Sequence, residues 1–249
     1  MTDMRTKDFE LATPNGLVRG TVTQATSPKG VLLCLHGSPS GDLHGNVNFF
    51  DQLAEVGEPQ GYTTIQFSFF GSAPSEGTAA DASMRSQSED FLAVLDYARR
   101  AYPYNLHIVG ESAGATVAAL NWQTNVRSYI LLWPAFDLKN TDLQPYLTSE
   151  WLSVVERQGF LESDGVILGK ELFKELLFKD FTPCFKIPNV STLIVHGRSD
   201  REVPYSQSLR AVTEAVGDVT FVTVSAAGHG FKEHRKLVLD TVLEWLQMQ

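Results

Sequence analysis

The sequence predicts an α/β architecture: a mostly parallel sheet flanked by helices and broken by a helical cap insertion. Three observations lead there. Short apolar runs recur along the chain, helical patterns separate them, and one long stretch loses this rhythm. Apolar runs without polar alternation are expected of parallel strands buried on both faces. Alternation of such strands with helices implies a sheet covered on both sides, with its ligand site at the carboxyl ends of the strands.

In chain order, residues 7–13 and 17–25 alternate apolar with polar or β-branched residues around Pro14-Asn15-Gly16, which predicts an N-terminal β-hairpin. The runs Val31–Leu35, Thr63–Phe67, Leu106–Val109, Tyr129–Trp133 and Thr192–Val195 follow as strands, and Val219–Val224 closes the series. Phe91, Val94, Leu95 and Ala98 share one helical face, as do Val238, Val242 and Trp245. Residues 138–185 contain two amphipathic stretches, 149–158 and 170–178. Between them lie Gly159, Gly165 and one very short strand-like run, Val166-Ile167-Leu168, so this segment reads as the cap. No repeat, low-complexity tract or linker divides the chain, and residues 1–249 are expected to form one domain.

Composition narrows the partners. With 249 residues, 43% of them hydrophobic, the chain can bury a substantial core. A formal charge of −9 and no cluster of Lys and Arg disfavour nucleic-acid binding. Two isolated cysteines, Cys34 and Cys184, suggest neither a disulfide framework nor a zinc site. No apolar leader core follows the N-terminus, and no window approaches the ~18 apolar residues of a membrane span. A soluble, cytoplasmic protein without membrane contact is expected.

The chemistry-bearing residues sit after strands. Gly110-Glu111-Ser112-Ala113-Gly114 fits G-x-S-x-G between an apolar run and a helix-like segment, the context in which such a serine is presented as a nucleophile on a tight turn. Alone, the pentapeptide also fits a strand-to-helix turn with an N-capping serine. His36-Gly37-Ser38-Pro39 follows another strand. Pro39 has no N–H, so the oxyanion donors are predicted to be the backbone groups of Ser38 and Ala113, while His36 reads as structural. Asp200 follows the run 192–195, and His229 lies between the last strand and the final helix. Ser112, Asp200 and His229, in that order, form the predicted triad, in which the histidine takes the serine proton and the carboxylate fixes its tautomer. Asp137 is the rival acid, but it sits where the cap begins and suits a capping role better. His44, His107, His196 and His234 show no comparable arrangement.

These segments resemble the small α/β-hydrolases related to cinnamoyl and feruloyl esterases and, more distantly, acylaminoacyl-peptidase domains. The likeness covers nearly the whole chain. It rests on His36-Gly37 with Gly41-Asp42-Leu43-His44, on Gly110–Gly114, on His196-Gly197 with Asp200 and Val203-Pro204, and on Gly228-His229-Gly230-Phe231. One departure is Phe69–Gly77, where relatives carry an Asp-x-Arg-Gly-like stretch. The resemblance implies an α/β-hydrolase fold and cleavage of a small-molecule carboxylic ester through an acyl-enzyme on Ser112, with no metal or cofactor. Acyl transfer through the same intermediate, or ligand reception on a hydrolase fold, are the alternatives. It also implies that the cap covers an acyl pocket, to which Trp133, Phe136, Tyr146, Trp151 and Phe160 are the candidate substrate-binding contributors.

Overall fold

The computed structural model describes residues 5–37, 41–163 and 166–249. Strands β1 (Arg5–Ala12) and β2 (Leu17–Gln24) pair antiparallel, and their turn is closed by the Thr13 N–H donating to Gly16 O at 2.9 Å. Next come β3 (Gly30–Leu35), α1 (Phe49–Gly57), β4 (Tyr62–Phe67), α2 (Met84–Ala101), β5 (Asn105–Glu111), α3 (Ala113–Leu120) and β6 (Ser128–Leu132). Every residue of β3, β4 and β6 is buried, which is why their sequences are apolar runs rather than alternations.

The period of two is still present, hidden in which helices each side chain meets. Val31, Leu33 and Leu35 of β3 join the core cluster that contains Phe91, Val94 and Leu95 of α2. Leu32 and Cys34 join the opposite cluster, with Phe49, Phe50 and Leu53 of α1. Successive side chains on a strand point to opposite faces, so a strand covered on both sides is apolar at most positions. Polar side chains such as Gln66 of β4 and Ser128 of β6 are buried and hydrogen-bonded. Burying each such Val or Leu contributes roughly 1.5–3 kcal/mol.

The segment 138–185 is where expectation and structure part in detail. Helices α4 (Ser149–Gln158) and α5 (Lys170–Phe178) match the two amphipathic stretches. Between them, however, β7 (Phe160–Ser163) and β8 (Val166–Gly169) pair antiparallel, so the cap is helical with a hairpin inserted. The Val166–Leu168 run is one arm of that hairpin. The other arm, four residues long with a glutamate at its centre, carries too little apolar pattern to be recognised. The cap is tied to the body by Glu175 of α5, whose carboxylate accepts from the backbone N–H groups of Met84 and Arg85 at 2.6 and 3.2 Å. A carboxylate there completes the first turn of α2 and suits its positive dipole end.

After the cap follow β9 (Ser191–Gly197), α6 (Ser206–Glu214), β10 (Val219–Val224) and α7 (Arg235–Leu246). The main sheet runs β1-β2-β4-β3-β5-β6-β9-β10; β1 and β2 are antiparallel additions at one edge, and β3, β4, β5, β6, β9 and β10 are mutually parallel. Val238, Val242 and Trp245 of α7 close the second cluster, as their spacing predicts. No described helix is long and apolar enough to cross a membrane.

Candidate active site

Ser112 occupies the turn between β5 and α3 with φ 48 and ψ −119, outside the regions a non-glycine residue adopts without cost. What forces this is crowding. A Cβ on Gly114 would stand 2.2 Å from Leu35 O, and one on Gly37 would stand 2.9 Å from Ser112 Cβ. The β3 end, the turn and the helix start are therefore packed too closely for side chains at these two positions. The Ser112 N–H donates to Leu132 O at 3.1 Å, and Ser112 O accepts from the Ala135 N–H at 3.2 Å, which ties the turn to the end of β6.

Three side chains meet at the carboxyl ends of the strands. Ser112 Oγ lies 3.1 Å from His229 Nε2, and His229 Nδ1 lies 2.8 Å from Asp200 Oδ2. Asp200 is held from both sides. Its Oδ1 accepts from the backbone N–H groups of Glu202 and Val203, each at 2.9 Å, and its Oδ2 also lies 3.2 Å from His196 Nε2. Burial disfavours its charge, yet the bonds from His196, His229 and Val203 outweigh that and hold the carboxyl well below the usual range. For His229 burial acts downward, while the bond to Asp200 and the charges of Asp200, Glu202 and Glu111 act upward and prevail, raising it above 6.5.

His196 is a site residue that sequence reasoning missed. It is fully buried, its Nδ1 is 2.7 Å from Ser208 Oγ, and its Nε2 faces the same carboxylate oxygen as His229. The available signal was its position four residues before Asp200 at the end of β9. Glu111 was missed for another reason: the second position of G-x-S-x-G is unspecified. Its Oε1 accepts from the N–H groups of Gly37 at 3.2 Å and Asn46 at 2.8 Å, joining the two sides of the loop that starts at the end of β3. Burial pushes it up to about 7, against those two bonds.

His36 is structural, as read from the sequence. It is buried, its Nδ1 lies 2.8 Å from Gly37 O, its Nε2 accepts from the Phe69 N–H at 3.1 Å, and burial lowers it to about 4. Asp137 is bound locally, its carboxylate accepting from the Lys139 N–H at 3.0 Å and from Asn140 Nδ2 at 2.6 Å. Ala113, the second predicted oxyanion donor, is the first residue of α3 and lines the cavity described next. Ser38, the other, lies outside the described residues.

A cavity of about 360 Å³ opens on Ser112 and His229. Of the five aromatic residues expected in it, only Trp133 lies on its wall, and the Trp133 side chain is fully buried between Phe49 and Phe231, edge-on to His229. Phe136 is drawn into the core against Phe185. Tyr146 packs with Trp151 on the outer part of the cap, and Trp151 and Phe160 are each 36% exposed. The apolar wall is aliphatic instead, with Leu138, Leu143, Val166, Leu168, Leu172 and Leu176 from the cap.

Residues 79–249 match the prolyl oligopeptidase family. The chain belongs to that family. The match to the prolyl oligopeptidase family takes in Ser112, Asp200 and His229 but begins after the His36–Asn46 stretch. Among solved structures the chain is similar to Est1E from Butyrivibrio proteoclasticus with ferulic acid bound, at a TM-score of 0.80 and 20% identity, over 97% of this chain and 98% of that one. It is also similar to alpha/beta hydrolase domain-containing protein 10 from mouse (0.75, 19%, over 97% and 99%) and to an esterase from Exiguobacterium antarcticum (0.72, 18%, over 96% and 98%). These likenesses establish the α/β-hydrolase fold that the sequence predicts. No curated protein matches the chain.

Proposed function

We propose that this protein hydrolyses a small-molecule carboxylic ester through an acyl-enzyme on Ser112. The observation that carries this reading is the continuous hydrogen-bonded line from Ser112 Oγ through His229 to Asp200. Attack of Oγ on the ester carbonyl passes the hydroxyl proton to His229 Nε2; collapse of the tetrahedral adduct then expels the alcohol, which takes that proton. Water next gives its proton to His229 and its oxygen to the acyl carbon, and Ser112 leaves with the proton returned. Asp200 keeps the proton of neutral His229 on Nδ1 and stabilises the imidazolium, which a strongly acidic, buried carboxylate suits. The backbone N–H of Ala113, at the start of α3, is one donor to the oxyanion, and Ser38 is the proposed second. A cavity of about 360 Å³ fits a small substrate, and the aliphatic wall supplied by residues 138–185 is the proposed acyl site.

The family match favours a second reading, cleavage of an amide by the same steps. Paired ester and amide substrates with one acyl group distinguish the two. The reading common to both is tested with a fluorophosphonate probe, whose adduct is expected on Ser112 and absent from Ser112→Ala. Labelling of another serine, or undiminished labelling of the variant, contradicts it.

A further inference from the structure

The aliphatic wall is only half of the cavity. Its other lining side chains include four carboxylates, Asp42, Glu111, Asp142 and Glu202, and among the described residues no lysine or arginine faces it. Their positions are not random with respect to the chemistry. Glu202 Oε2 lies 3.9 Å from His229 Nε2, the histidine nitrogen that faces Ser112, and Asp142, whose backbone N–H donates to Glu202 O at 2.9 Å, lines the same cavity. Glu111, 2% exposed, stands beside Ser112. Its Oε1 is occupied by two backbone N–H groups, whereas its buried Oε2 has no hydrogen-bond partner among the described residues.

Buried carboxylate oxygens are ordinarily bonded, and an unpartnered one on a cavity wall is a place for a donor or a positive charge. The leaving group departs where His229 Nε2 delivers its proton, which is the side Glu202 occupies. A cleft lined by one sign of charge with low-dielectric walls concentrates ligands of the other sign. On the strength of the ester-hydrolase reading above, we propose that the substrate carries a cationic group on its leaving alcohol or thiol, opposite an uncharged apolar acyl chain, with Glu202 and Asp142 selecting the cation. An anionic substrate finds no lysine or arginine among the described residues of the cavity wall.

The test uses three butyryl thioesters whose leaving thiols carry different charge: a 2-(trimethylammonio)ethyl thioester, its neutral 3,3-dimethylbutyl isostere and a 2-carboxyethyl thioester. Thiol release gives kcat/KM for each. The cationic ester is expected to exceed the neutral one by about tenfold or more, with the anionic ester lowest, and the ratio should shrink as salt is raised. In Glu202→Gln and Asp142→Asn the cationic-to-neutral ratio is expected to fall. Equal values for the three esters, preference for the anion, or a ratio untouched in both variants would overturn the proposal. Failure to cleave the neutral thioester with Ser112 unlabelled by fluorophosphonate would instead overturn the hydrolase reading beneath it.

Discussion

At the scale of single residues, Asp200 does more than its position in a Ser, Asp, His order requires. One carboxylate accepts two backbone N–H groups on one oxygen and lies within reach of two histidines on the other. Asp200→Asn leaves this cluster one wrong proton and the wrong His229 tautomer, so kcat should fall on the order of 10⁴-fold. Asp137→Asn should change it little, since Asp137 caps its own turn. Steady-state kinetics on the two variants checks this, and equal losses would remove Asp200 from its role. A general base works when neutral, and the raised pKa of His229 places the acid limb of kcat/KM above pH 6.5. A limb lying below that of an ordinary histidine would contradict the upward pull of Asp200 on His229.

Glu111 gives a stability prediction of opposite character. An acid whose pKa rises from 4.5 unfolded to about 7 folded keeps its proton longer in the native state. Between those values the folded state binds more protons than the unfolded one, so stability declines as pH rises through the window and stays lower above it. Gln at this position retains the oxygen that Gly37 and Asn46 bond and cannot ionise. Glu111→Gln should therefore gain on wild type by on the order of 3 kcal/mol between pH 4.5 and pH 8, since each pKa unit is worth about 1.4 kcal/mol. Thermal unfolding at both pH values reads the difference; a gap that does not change with pH would count against a buried, titrating Glu111.

At the scale of elements, the proposed function assigns selectivity to the cap and reactivity to the strand ends. Leu172 of α5 is buried and lines the cavity, whereas Trp151 of α4 is 36% exposed and does not. Leu172→Ala should shift the ratio of kcat/KM between long and short acyl chains, where one methylene is worth about 1–3 kcal/mol, while Trp151→Ala should leave that ratio in place. The reverse result would put the acyl site on the outer face of the cap. Reading the sequence located α4 and α5, because each shows a helical stripe, around 149–158 and 170–178. It could not locate the pocket wall, since an aromatic side chain carries the same apolar signal whether it faces a cavity, the core or a neighbouring ring. Phe136 went to the core and Trp151 to Tyr146, and aliphatic residues took the wall.

At the scale of the whole molecule, the parallel sheet was legible because both of its faces are covered, which leaves a series of short, mostly apolar runs separated by helical patterns. The meeting of Ser112, His229 and Asp200 was legible because all three residues follow strands, and a parallel sheet gathers strand ends on one side. His196 and Glu111 were not, because their contributions depend on which atom of a neighbour they reach. Ser112 and His229 are 117 residues apart in sequence and 3.1 Å apart in space, so the site exists only once β5, β9 and β10 are aligned. The covalent step that this alignment would permit is acylation of Ser112. Rapid mixing with a p-nitrophenyl ester, acid quenching and peptide mass mapping should show a burst of one nitrophenolate per protein and an acyl group on Ser112. Turnover without a burst, with the acyl group on no residue or on one other than Ser112, would contradict it.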